Sequence, residues 1–253
     1  MGLVVAEIRK LTTVITTWVL TGIGLLLTLA TASVFTFVAV ATGSNFTGSD
    51  TDVAVAIDQI GGNSIIVLVV ALLSMTTEFR HGTAGRTFQV TPSRTRVLTA
   101  KMLVGALYAV AFLLAGLVIV AGVVGLAAVV GSTGLSVGAE SWTAIWHALG
   151  GLVLTAVFGV ALGALIRSQV VALTIMLVWV FVVEQLISFA APRVGQWLPF
   201  NALNALFVSQ ETREGVPEGM LVLLDPAVGL ITFVGYVVVT ATAAVILLRT
   251  RDL

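Results

Sequence analysis

Cysteine is absent from the 253 residues, histidine occurs only twice, and charged side chains make up just 9% of the chain. Without cysteine there is no disulfide, no iron–sulfur cluster and no thiolate nucleophile. The histidines, His81 and His147, have no companion at a zinc-binding spacing, so no metal or cofactor is expected. Soluble domains carry about 25% charged residues. So sparse a charge, beside 58% hydrophobic residues, excludes an ordinary water-soluble globule. Twelve basic and twelve acidic side chains cancel, leaving no overall field to attract nucleic acid. A phosphate-binding loop is missing too: Gly82-Thr83-Ala84-Gly85-Arg86-Thr87 lacks the lysine such a loop needs. Neither Ser64, Ser74 nor the threonines have a base beside them in sequence, so the chain is expected not to be an enzyme.

What is present is a set of long apolar runs. About 20 apolar residues cross a hydrocarbon core some 30 Å thick, and six such runs emerge, at 18–41, 61–77, 102–130, 144–166, 170–191 and 228–248. The chain therefore reads as an all-α membrane protein, one transmembrane domain over 1–253. Ala30-Thr31-Ala32 resembles a signal-peptidase site, but the apolar run continues past it, which favours an uncleaved anchor.

Arginine and lysine orient the spans, because short cytoplasmic loops hold their excess. Arg9, Lys10, Arg80, Arg86, Arg94, Arg96, Lys101, Arg167, Arg249 and Arg251 all fall on one side of a six-crossing path. The other side holds Asp50, Asp52, Asp58, Glu140, Glu211, Glu214, Glu218 and Asp225 against only Arg193 and Arg213. Both termini are expected in the cytoplasm of a bacterium, with the spans in its inner membrane. Trp18, Trp142, Trp146 and Trp197 sit where interfacial aromatic belts belong, whereas Trp179 is mid-span.

Three segments outside the spans are informative. In residues 1–17, Val5, Ile8, Leu11, Val14 and Ile15 recur at helical spacing among Glu7, Arg9 and Lys10, predicting a helix lying in the interface or, more plainly, a charged topogenic flank. The 78–101 connection is too long for a simple interhelical turn. Thr91 followed by Pro92 predicts a helix start, so span three begins as a cytoplasmic stub. Upstream, Phe79 and Phe88 interleave with Arg80, His81 and Arg86, as in a short amphipathic element that meets a partner protein or anionic headgroups. The outer segment 192–225 places Trp197, Leu198, Phe200, Leu203, Leu206 and Phe207 around two asparagines. It reads as an external amphipathic helix or as a re-entrant hairpin whose irregular backbone protein must cover.

The order Thr77-Glu-Phe-Arg-His-Gly-Thr, then Thr87-Phe88, Thr91-Pro-Ser-Arg and Ala100-Lys101, between spans two and three of a six-span chain, resembles the permease subunits of ABC type-2 transporters. The resemblance implies a coupling helix docked on an ABC ATPase subunit, with Glu78, Phe79, Arg80, His81, Arg86 and Phe88 in the docking element and Arg94, Arg96 and Lys101 in the stalk of span three. It further implies ATP and Mg on that partner subunit, a second permease copy or homologue to complete a dimer, and outward movement of a cargo. Few charges in the spans favour an amphipathic or lipid-like cargo such as a drug, an antibiotic or a lipid, with drug resistance as its phenotype. Rival readings are a membrane-embedded enzyme and a non-transporting sensor or assembly factor of the same architecture.

Two features inside the spans stand out. Glu184 is the one charge within the six runs. A carboxylate there marks either a function, such as a cation, proton or cargo contact, or a hydrogen-bonded structural role. Gly159 and Gly163 form a small-xxx-small pattern that lets helices approach closely, explained more economically by packing within the subunit than by dimerisation.

Overall fold

The computed structural model describes residues 2–41, 46–80, 82, 93–208 and 222–250, with the side chains of Ala39 and Arg249 outside that description. Among the described residues the chain is helical with no strand, and six helical stretches are long and apolar enough to cross a membrane. This is a multi-pass membrane protein.

The chain opens with α1 (Gly2–Thr13), breaks at Val14, and enters the first long helix, α2 (Ile15–Ala41). The expected interfacial helix thus ends earlier than residue 17, and the first span starts earlier than Trp18. The second stretch differs more from expectation. It begins at Asp50, not Gly61, as α3 (Asp50–Gly62) followed by α4 (Ser64–Arg80). Asp50, Asp52 and Asp58 were expected in a loop. Asp50 and Asp52 instead form the first helical turn, and Asp58 lies buried within α3.

The cause is a reciprocal cap. The Ser49 hydroxyl accepts from the Asp52 N–H, and the Asp52 carboxylate accepts from the Ser49 N–H, both at 3.2 Å. Val53, Ala56, Ile57 and Ile60 then repeat at helical spacing on a buried face. The pause at Asn63 is itself bonded, its side-chain amide donating to the Gln59 carbonyl and to the Thr28 hydroxyl of α2.

The third stretch is α5 (Arg94–Gly131), with Ser93 in the cap position. Thr91 and Pro92, the expected cap and first helical residue, fall outside the described residues. α6 (Ala139–Ile166) follows. The fifth stretch is built of α7 (Gln169–Val178), one π-helical turn (Trp179–Val183) and α8 (Glu184–Ala190). Two short helices, α9 (Pro192–Gly195) and α10 (Pro199–Asn204), lead towards the last, α11 (Pro226–Thr250).

α6 is the centre of the bundle, in contact with α3, α4, α5 and α11. Its small residues make that possible. A β-carbon on Gly159 would lie 2.7 Å from the Leu68 carbonyl oxygen, and one on Gly163 would lie 2.8 Å from that of Leu72, so the pair is pressed against the α4 backbone within one chain. Gly159→Ala is therefore expected to lower stability by about 1–3 kcal/mol, read as a lower thermal midpoint in detergent. Gly150→Ala, where an added β-carbon meets nothing, serves as the control and should hold or raise the midpoint.

At the end of the bundle remote from the termini, Asp50 joins α3 to α6. Its carboxylate accepts from the N–H groups of Gly138, Glu140 and Ser141 at 2.7–3.0 Å and from the Ser141 hydroxyl. The segment after the fifth stretch turns inward from Pro199. Phe200, Leu203, Leu206 and Phe207 are buried, and the Phe207 ring occupies the space where β-carbons of Gly61 and Gly151 would stand. Protein thus covers these four side chains, whereas Arg193, Val194, Trp197 and Asn204 of the same segment remain exposed. By contrast, Leu26, Val118, Phe181, Phe189 and Ile231 face outward from the long helices, as residues facing lipid do.

Candidate functional site: an ionic cluster at the root of the basic loop

α1, α4 and α5 meet at the terminus-bearing end of the bundle, and each brings charge. Helical spacing puts Glu7 and Lys10 one turn apart on α1. Glu78 stands on the last turns of α4, one turn beyond Ser74, and Lys101 two turns into α5. Lys101 donates to Glu7 Oε2 at 2.6 Å, to Glu78 Oε1 at 2.9 Å and to the Ser74 carbonyl at 3.1 Å. Lys10 donates to Glu7 Oε1 at 2.6 Å and Glu78 Oε1 at 2.7 Å.

Two carboxylates and two ammonium groups therefore neutralise one another. The side chains of Lys101, Glu7 and Glu78 are only 2%, 4% and 8% exposed, whereas that of Lys10 is 45% exposed. Burial works against the charge on Lys10, but its hydrogen bonds to Glu7 and Glu78, with their attraction, outweigh that and hold its pKa above the ordinary lysine value. The chemical capacity of such a knot is mechanical. It ties three helices by short, charge-assisted bonds that fix distance and direction.

Neighbouring contacts extend the fastening. Phe79 and Leu3 pack on Val97, linking α4 and α1 to α5 through apolar atoms as well. The Arg167 guanidinium lies 5.6 Å above the Phe79 ring, from the turn between α6 and α7. Arg80 donates to the Gln169 side chain at 3.2 Å. Arg94 reaches the Leu248 carbonyl near the end of α11 at 2.9 Å.

Of the expected docking residues, Glu78 is drawn inward by two lysines, Phe79 is half-buried and Arg80 is exposed. His81, Arg86 and Phe88 lie outside the described residues. Of the expected stalk residues, Arg96 is exposed, Arg94 is tied to α11 and Lys101 is buried. Glu7 and Lys10, read from the sequence as part of an interfacial helix or a charged flank, turn out to be half of the cluster. The available signal was the Glu-x-x-Lys spacing on a short amphipathic helix.

Glu184 is also buried, at 1% exposure, and fully engaged. Its carboxylate accepts from Trp179 Nε1 at 2.9 Å and from the backbone N–H groups of Phe200 and Asn201 at 3.1 Å. The π-helical turn before it brings Trp179 onto the same carboxylate, and Leu198 and Pro199 direct the start of α10 towards it. Asn201 completes the joint, its amide donating to the Ser188 hydroxyl and the Gly195 carbonyl. Glu184 thus clasps the fifth long helix to α10, and the mid-span Trp179 has its partner there.

No protein-family model matches this chain, and no curated protein matches it in sequence.

Proposed function

We propose that the chain is the transmembrane permease subunit of an ABC type-2 exporter, with both termini cytoplasmic and the loop between spans two and three acting as the element that meets a separate ATPase. Two such subunits would form the path for an amphipathic or lipid-like cargo, and ATP and Mg would be bound by the ATPase partner. One observation carries this reading beyond the sequence resemblance. The loop hangs from a rigid base, because Glu78 before it and Lys101 after it are bonded to each other and both belong to the cluster that includes α1. A push on the loop is then delivered to α1, α4 and α5 together, the kind of discrete coupled movement that nucleotide-driven switching requires.

The test is co-expression with an ATPase encoded beside this chain. The two proteins are expected to co-purify, with ATP hydrolysis stimulated in the membrane-reconstituted complex. Arg80→Ala, alone and with Phe79→Ala, is expected to lower that stimulation by about tenfold, the scale of losing an interface anchor, with the thermal midpoint of the single variant unchanged. Failure to co-purify with any ATPase, or undiminished stimulation in both variants, would overturn the reading.

A further inference from the structure

Beside the ionic cluster, between α1, α2, α4 and α5, lies a cleft of about 480 Å³, within the range of roughly 300–1,000 Å³ typical of small-molecule sites. Its lining divides by chemistry. Leu20 of α2, Val70 and Leu73 of α4 and Val104 of α5 form an apolar floor. The mouth carries Lys10 and Arg80.

The four charges of the cluster balance, so the net positive charge at this mouth is that of Arg80, while Lys10 is the one cluster member that reaches solvent. Glu7 and Glu78 also line the cleft, but they are withdrawn and held by Lys101, which is more deeply buried still. The groups that reach outward are cationic: Lys10, 45% exposed, and Arg80, exposed on the last turn of α4. An ammonium has three N–H donors and a guanidinium five. Lys10 uses two on Glu7 and Glu78, and Arg80 one on Gln169. Cationic donors over an apolar floor suit a ligand with an anionic oxygen cluster at one end and methylenes at the other.

From this geometry we infer that the cleft is a binding site for an anionic phospholipid, its phosphate held by Lys10 and Arg80 and the first part of an acyl chain lying on Leu20, Leu73 and Val104. Phosphatidylcholine bears the phosphate too but adds a quaternary ammonium, which the cationic mouth disfavours. A lipid seated there touches α1, α2 and α4 at once and so braces α1 on the bundle. The assignment does not depend on the transport reading. Because Arg80 figures in both, Lys10 and Leu20 are the residues to vary.

The full chain, purified and reconstituted into nanodiscs of phosphatidylcholine with or without phosphatidylglycerol, is released into neutral detergent and its retained lipid counted by native mass spectrometry. Wild type is expected to retain one phosphatidylglycerol per chain in preference to phosphatidylcholine. Lys10→Gln and Leu20→Trp are each expected to lower that preference by about tenfold, the scale of losing one charged contact or the room for the chain. Leu20→Trp leaves every charge of the cluster in place, so it decides the matter where Lys10→Gln loosens α1. Equal retention of the two lipids by wild type, or wild-type preference in Leu20→Trp, would overturn the proposal. So would displacement of the lipid by inorganic phosphate at a concentration that also stabilises the lipid-free protein, since the site would then belong to free phosphate.

Discussion

Lys101→Met is expected to destabilise the protein by on the order of 3–5 kcal/mol, the cost of leaving buried charge without its partner. The size follows from geometry. Lys101 is the hub of the cluster, bonded to both Glu7 and Glu78 and to the Ser74 carbonyl. At 2% exposure, it leaves no room for bulk water to replace it. Methionine fills the volume but supplies no donor. Lys10 then faces two carboxylates alone.

A second substitution separates this electrostatic account from simple misfit. Combining Lys101→Met with Glu7→Gln removes the surplus negative charge, and more than half of the lost stability is expected to return. Unfolding in mixed micelles with a graded denaturing detergent gives both values. A single variant within about 1 kcal/mol of wild type, or a double variant as unstable as the sum of its parts, would show that the cluster does not fasten the helices.

The second large effect concerns Glu184. Glu184→Leu keeps the bulk of the side chain but orphans three donors, the indole N–H of Trp179 and the amides of Phe200 and Asn201. Unmade hydrogen bonds of buried groups cost about 1–3 kcal/mol each. Relief of the carboxylate's own burial offsets part of that. A net loss on the order of 2–4 kcal/mol is expected. Glu184→Gln retains one carbonyl acceptor and is expected to lose about half as much. Hydrogen exchange reads the effect locally, as faster exchange at Phe200 and Asn201 in the leucine variant. The α4–α6 contact is the internal reference, because it is made by other residues. Exchange unchanged at those two amides would rule out the clasp.

These residues show where sequence reading succeeds and where it stops. The count of spanning helices was legible because a run of apolar side chains is a local property and the membrane imposes a minimum length on it. Gly159 and Gly163 were legible as a close-packing face, but not their partner. Only the folded chain places Leu68 and Leu72 of α4 against them. The early start of the second stretch was obscured by three aspartates read as loop residues. Ser49 and Asp52 form the reciprocal cap that turns acidic residues into a helix start, a signal that lies in the sequence once charge is weighed together with capping.

The ionic cluster was not legible as a unit. Glu7 and Lys101 are separated by 94 positions, and Lys10 and Glu78 by 68. A bond across such a distance depends on helix placement rather than on neighbouring residues. The same reason hid the role of Glu184. Its isolation in an apolar run marked it as important, but its partners arrive from a π-helical turn and from a short helix beyond the span.

What the amino-acid sequence by itself determined is how many helices this chain offers to a membrane and which side chains are too polar to lie against lipid, because both follow from short-range pattern and transfer free energy. Only the tertiary structure decided how those polar side chains are satisfied. Charges that water would otherwise solvate find one another across the bundle, tying α1, α4 and α5 at one end, while the Glu184 carboxylate finds neutral N–H donors and joins the fifth long helix to α10.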